Sequence, residues 1–164
     1  MKKIVTIAIL SLAILFISCT REYDCDDQQI PIAFISYLPS DIDTFVIRKF
    51  KPNDNFQTLL DTVAVKYGYY GEYLVFNDTT VVTVYSSDGI KAGFDWQVFI
   101  PAKGKTVAIS QINSEKSTGK RGWGIFSMDP ADPCINRIFS VKIDNQVIDF
   151  STSDIAKHCL FIRN

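Results

Sequence analysis

Apolar and polar residues alternate along most of this chain with a period of two. Trp96, Val98 and Ile100 share one face of such a segment, and Val107 and Ile109 repeat the pattern in the next segment. A period of two is that of a β-strand, because successive side chains point to opposite faces. Turn residues separate these short segments about every ten positions. The pattern therefore predicts an all-β fold.

The number of alternating segments, about eight to ten, favours two packed antiparallel sheets. We predict an antiparallel β-sandwich, immunoglobulin-like or transthyretin-like, with a small closed β-barrel as the alternative. Asn77 and Asp78 predict a hairpin between segments 73–76 and 79–85. Segment 56–65 fits either a helical turn or a strand.

A late segment carries five alternate residues that we predict to share one face of a strand. They are Ile135, Arg137, Phe139, Val141 and Ile143.

The N-terminal residues have the pattern of a secretory signal. Lys2 and Lys3 precede an apolar run over 4–17, which is shorter than a membrane span, and Ser18 and Cys19 follow. The end of this run resembles the bacterial lipobox, in which an apolar pair and a small residue precede a cysteine. That resemblance implies cleavage after residue 18 and lipidation of Cys19. The alternatives are an ordinary cleaved signal and an uncleaved anchor.

The next segment, 19–29, has the composition of an acidic tether. Glu22, Asp24, Asp26 and Asp27 resemble the export signal of surface lipoproteins in the Bacteroidota, and a solvated linker is the alternative. The resemblance to small lipoproteins of that phylum implies an outer-membrane anchor, with the domain facing either the surface or the periplasm. We predict one domain over 30–164.

The charge of the chain excludes one class of partner. Removal of 18 residues from 164 leaves 146 residues with 15 basic and 18 acidic groups, a net charge of about −3. Nucleic-acid binding needs a strongly basic surface, so we predict no nucleic-acid partner.

Three cysteines remain in the predicted mature chain, and the envelope is oxidising. Of the three pairings we favour Cys134 with Cys159, because the loop that they enclose is modest. Cys25 paired with either of them is the alternative. The cysteines are far apart and the chain has one histidine, so we predict no metal site and no cofactor.

The residues that could carry catalysis do not combine into a known arrangement. His158 and Cys159 are neighbours, and neighbours on a strand point to opposite faces. Asp41 and Asp43 have the spacing of calcium ligands without the rest of a calcium loop. Segment 117–122 lacks the first glycine and the final hydroxyl of a phosphate-binding loop. We therefore predict that the protein is not an enzyme.

The longest polar stretch, 113–124, is the candidate contact surface. Trp123 can stack on a sugar or anchor a protein interface, and Lys120 and Arg121 attract carboxylates. The alternative is a tryptophan packed back over the sheet. Thr62 and Thr79 each follow an aspartate in a pattern that resembles the O-glycosylation acceptor of Bacteroidota envelope proteins.

These features predict a non-catalytic binding or accessory module, anchored to the outer membrane, with a glycan or envelope protein as its partner. The alternative is a structural subunit of envelope assembly whose strand edges pair with partner chains. An enzyme with scattered active-site residues is the third hypothesis.

Overall fold

The computed structural model describes residues 20–66, 71–84, 89–122, 134–150 and 159–164, which form an all-β structure. The described residues form two short 3-10 turns, Pro39–Asp41 and Pro101–Lys103, and fourteen strands. The strands are Thr20–Asp24 (β1), Asp26–Asp27 (β2), Ile32–Ile35 (β3), Thr44–Phe50 (β4), Leu59–Lys66 (β5), Gly71–Phe76 (β6), Thr79–Val84 (β7), Asp95–Ile100 (β8), Lys105–Ser114 (β9), Thr118–Gly122 (β10), Ile135–Asn136 (β11), Ile138–Ile143 (β12), Gln146–Asp149 (β13) and Leu160–Arg163 (β14).

The described residues divide into two compact units. The smaller unit contains 20–26, 116–122 and 134–135, and the larger contains the described residues of 27–115 and 136–164. The sequence predicts one domain over 30–164 and a tether over 19–29. In the structure, part of that tether forms β1, which pairs antiparallel with β10.

One disulfide lies in the smaller unit, and it corrects the predicted pairing. Cys25 is bonded to Cys134, with their Cα atoms 4.9 Å apart, and Cys159 is a free thiol. The predicted Cys134–Cys159 bridge is therefore wrong, and one of the alternatives is right. The local cause is a hydrogen bond from the Asp26 N–H to the Cys134 carbonyl oxygen, at 3.2 Å, which brings the two segments side by side.

The larger unit contains a six-stranded sheet with the order β13-β12-β9-β8-β4-β5. Each neighbouring pair in it is antiparallel. Three of its four central strands, β4, β8 and β9, alternate regularly enough to bury one face: Phe45 and Ile47 of β4, Val98 of β8 and Ile109 of β9 are at most 2% exposed. Most of segment 56–65, which the sequence left ambiguous, lies in the edge strand β5.

A four-stranded sheet with the order β14-β3-β7-β6 supplies the second layer. The predicted hairpin at Asn77 is confirmed as β6 and β7. The last strand differs from the prediction of purely antiparallel sheets, because β14 pairs parallel with β3, with Leu160 opposite Ile32 and Ile162 opposite Phe34. Those four side chains are buried in the core.

The two layers share one hydrophobic core, so the predicted all-β sandwich is confirmed. The ring of Phe34, from the four-stranded sheet, meets the ring of Phe45, from the six-stranded sheet, edge to face with centroids 5.1 Å apart. Trp96 lies in the same core at 1% exposure and donates its indole N–H to the Lys91 carbonyl oxygen. Neither of these two sheets closes on itself, and the other two sheets of the described residues have two strands each, which excludes the closed-barrel alternative for this part of the chain. The immunoglobulin-like or transthyretin-like assignment stays a prediction.

Candidate functional site

A polar depression of about 390 Å³ lies on the solvent side of the six-stranded sheet, in the larger unit. Its floor is formed by Ala108 and Ser110 of β9. Its walls come from the loop between β4 and β5 and from the turn between β12 and β13. This volume is within the range of small-molecule sites.

The loop that forms one wall is fixed by an aspartate. The Asp54 carboxylate accepts hydrogen bonds from the N–H groups of Gln57, at 3.3 Å, and Thr58, at 2.9 Å. This is the local bonding for which Asx residues are selected in turns. The hydrogen bond from the Thr58 side chain, together with these backbone bonds, lowers the pKa of Asp54.

A second aspartate fastens the loop to the sheet. Asp95, the first residue of β8, is only 5% exposed, and its carboxylate accepts the N–H of Asn53 at 2.9 Å. A buried carboxylate without such partners would be costly, so the loop and the strand stabilise each other.

Unusual backbone conformations concentrate around this depression. Seven described non-glycine residues have positive φ, and five of them line it: Asn53, Asn55, Phe56, Gln111 and Asp144. Asparagine and aspartate tolerate this conformation, whereas for phenylalanine it costs free energy of order 1–3 kcal/mol. Strained backbone of this kind clusters at binding sites, which makes the depression a candidate site.

Phe56 has the highest strain cost of the five, and its ring is held in place. The ring contacts that of Phe50 edge to face, with centroids 5.4 Å apart. Phe56 is therefore half-buried and presents a fixed aromatic surface to the depression.

A β-bulge places Gln111 at the opposite wall. Ser140 of β12 is opposite Asn113 of β9, whereas Lys142 is opposite Ser110, so the register shifts between them. Between these two pairs β9 has one residue more than β12, and Gln111 lies in this bulge. Gln111 is exposed, although Val107 and Ile109 before it are buried. Bulges often redirect a side chain in this way.

The turn between β12 and β13 is tied to the floor of the depression. The Asp144 N–H donates to the Ala108 carbonyl oxygen at 2.7 Å, and the Asp144 carboxylate accepts the Ala108 N–H at 2.9 Å. Asn145 is consequently held at the rim of the depression.

Four exposed side-chain amides therefore surround the depression: Asn53, Asn55, Gln111 and Asn145. None of these amides has a hydrogen-bond partner among the described residues. Each amide supplies an acceptor oxygen and a donor nitrogen. Asp95, Asp144 and Lys142 also line the site and give it a formal charge of −1, so it favours a neutral ligand over an anion.

A larger cleft of about 530 Å³ lies beside β14 and is chemically less specific. Half of its lining residues are apolar, and the Lys105 ammonium group at its rim already donates to the Arg163 carbonyl oxygen. We therefore take the amide-lined depression as the candidate site.

Most of the predicted site residues lie elsewhere or outside the described residues. Cys19, Trp123 and His158 lie outside them, as do the side chains of Lys120 and Arg121. The backbone of those two basic residues belongs to β10, so the expected loop is partly a strand.

The two predicted glycosylation threonines differ in their accessibility. Thr62 is exposed on β5, whereas Thr79 is half-buried and donates its hydroxyl to the Asp78 carboxylate at 3.2 Å. Glycosylation itself stays a prediction at both positions.

Asp41, one of the two aspartates with the spacing of calcium ligands, and Asp27, of the acidic segment, both have other partners. The Asp41 carboxylate forms an ion pair with Lys103 at 3.0 Å, and this hydrogen-bonded contact lowers the pKa of Asp41. The Asp27 carboxylate accepts a hydrogen bond from the Asn136 amide at 2.9 Å. In the described part of the chain, no three His, Cys, Asp or Glu side chains converge as metal ligands would.

The sequence alone does not predict the residues of the depression. Segments 51–55 and 144–146, two of the three segments that meet there, contain Asn and Asp residues, which are typical of turns. Their asparagine content is the only sequence signal, because their convergence depends on strand order.

No protein-family model, curated protein or solved structure matches this chain. Among the described residues, no helix has the length and hydropathy needed to cross a membrane.

Proposed function

We propose that the protein is a lipid-anchored, non-catalytic module of the outer membrane that binds a glycan in the amide-lined depression. The observation that carries this proposal is the set of four unpartnered amides around one fixed aromatic ring. Adjacent hydroxyls of a sugar each need a donor and an acceptor, which an amide supplies together. The C–H face of a sugar packs on an aromatic ring such as that of Phe56.

The carboxylates in the depression favour binding over catalysis. Asp95 and Asp144 each accept a backbone N–H, and those bonds hold the walls of the site together. These bonds give both carboxylates a structural role that needs no proton transfer.

The location rests on the leader sequence, with one supporting observation from the fold. Lys2, Lys3, the apolar run and Cys19 have the pattern of an exported lipoprotein. The disulfide between Cys25 and Cys134 is of the kind that persists in an oxidising envelope.

The binding proposal is tested with the purified mature protein on a glycan array, followed by calorimetry on each hit. Asn55→Gly and Gln111→Gly remove two amides, and glycine adopts their positive φ without strain. We expect each variant to weaken binding at least about tenfold, as for loss of a buried hydrogen bond. Asn77→Gly is the matched control, because Asn77 also has positive φ but lies in the β6–β7 turn.

If Asn55→Gly and Gln111→Gly bind the glycan as tightly as the control Asn77→Gly, or if the array gives no hit, glycan binding in this depression is contradicted.

The anchor is tested by metabolic labelling with a fatty acid, which Cys19→Ala must abolish. Protease treatment of intact and lysed cells then distinguishes a surface domain from a periplasmic one, with surface biotinylation as the second readout.

The second candidate function is that of a structural subunit in envelope assembly. The observation that favours it is the edge strand β5, which is eight residues long and has Leu59 and Leu60 about half exposed. Long edge strands pair readily with other chains. Crosslinking in intact cells from a photoreactive residue at Leu60 would capture such a partner, and a glycan-binding module would give no discrete adduct there.

A further inference from the structure

A second depression adjoins the first and lengthens the site. It measures about 330 Å³ and shares Asn53, Asp95 and Gln111 with the first depression. Its other lining residues are Pro52, Gly93, Phe94, Ile112 and Asn113. The two depressions therefore form one groove, with an amide-rich half and a second half that contains Phe94, here called the Phe94 half.

The fold holds the junction between the two halves in place. The buried Asp95 carboxylate binds the N–H of Asn53, and the bulge in β9 sets the position of Gln111. A ligand that crosses this junction meets groups that are already in position, which reduces the entropy cost of binding.

The Phe94 half has a fixed aromatic ring, as the amide-rich half does. Phe94 contacts Trp96 edge to face with centroids 6.0 Å apart, and the Lys49 ammonium group lies 3.8 Å from the Phe94 ring centroid. The ring is half-buried, so part of its surface remains open to the groove.

An extended peptide fits the groove less well than a sugar chain. Peptides usually gain affinity by adding a strand to a sheet edge. The groove lies on β8 and β9, which are interior strands with partners on both sides. Its free polar groups are side-chain amides, which suit hydroxyls.

We infer that the ligand is an oligosaccharide of at least two linked sugars, with one sugar in each half of the groove and the linkage at Asn53 and Gln111. This inference rests on the proposed function. Because the linked sugars enter together, the second sugar binds at a high effective concentration. We expect a disaccharide to bind at least about tenfold more tightly than its monosaccharide.

The test titrates the full mature protein in detergent with cello-, manno- and chito-oligosaccharides and with the matching monosaccharides. Asn55→Gly, in the amide-rich half, should weaken the monosaccharide and the disaccharide alike. Phe94→Leu, in the Phe94 half, should weaken only the disaccharide, by at least about fivefold. Asn113→Ala replaces Phe94→Leu if that variant has a lowered melting temperature, since Asn113 is exposed and lines the same half.

The outcomes separate the two proposals. Equal affinities for monosaccharide and disaccharide, with loss of both in Asn55→Gly, would overturn the two-sugar inference and leave the proposed function intact. Binding of no saccharide in these series or on the array would overturn the proposed function itself. Competition by an extended peptide, with the same dependence on Asn55 and Phe94, would overturn the choice of a glycan.

Discussion

The disulfide allows a quantitative prediction about stability. Cys25 and Cys134 are 109 positions apart, so their bond closes a long loop in the unfolded chain. For a loop of this size the chain-entropy model gives about 4.8 kcal/mol of stabilisation. We expect Cys25→Ser combined with Cys134→Ser to lower the free energy of unfolding by up to that amount. Cys159→Ser is the matched control and should change it by less than about 1 kcal/mol, because Cys159 is a free thiol.

The measurement is urea-induced unfolding followed by far-ultraviolet circular dichroism, with and without a reductant. Reductant should destabilise the natural protein and leave the double variant unchanged. If Cys134 were paired with Cys159 instead, the shorter loop would stabilise by about 3.5 kcal/mol, and Cys159→Ser would lose that stability. A destabilised Cys159→Ser variant, or a Cys134–Cys159 peptide in non-reducing mass spectrometry, would refute the reasoning.

Three further predictions follow from single residues. Phe56→Gly should abolish glycan binding in calorimetry without lowering the melting temperature by more than about 5 °C, since relief of backbone strain offsets the lost ring contact. Because the pKa of Asp54 is lowered in the fold, its carboxylate stabilises the loop above about pH 4, and this stabilisation is lost as the pH falls further. The Thr58 N–H donates to that carboxylate, so the protection of the Thr58 amide from hydrogen exchange should fall over the same range. Burial raises the pKa of the Cys159 thiol, so the rate of its alkylation by iodoacetamide should still increase with pH near about pH 9. A rate that becomes constant below about pH 8 would contradict this prediction.

The strands could be predicted where the alternation was regular. Trp96, Val98 and Ile100 occupy one buried face of β8, and Val107 and Ile109 do the same in β9, as the sequence predicts. In these segments local pattern and tertiary burial agree, so no information about neighbours is needed.

The pattern failed where the backbone departs from a regular strand. The sequence predicts one face for Ile135, Phe139, Val141 and their alternate neighbours, yet Ile135 and Phe139 are exposed whereas Ile138 and Val141 are buried. The break at Arg137 and the register shift between β9 and β12 reverse the faces. A one-residue shift has this effect because the side-chain period is two.

The candidate site could be predicted only in parts. The asparagines of segments 51–55 and 144–146 indicate turns by themselves. Their meeting depends on the order β12-β9-β8-β4 within the sheet, which places both turns beside Ser110 and Gln111. The same limit applies to Cys25 and Cys134, because strand pairing between distant segments decides which thiols meet.

The parallel pairing of β14 with β3 sets a time for the completion of the fold. The hydroxyl of Tyr37 donates to the Arg163 carbonyl oxygen, 126 positions further along the chain. At a synthesis rate of roughly 5–20 residues per second, the ribosome takes about 6 to 25 s to cover that interval. During this time Ile32 and Phe34 lack the strand that covers their flank. The core therefore cannot close completely until the last strand of the chain has been synthesised.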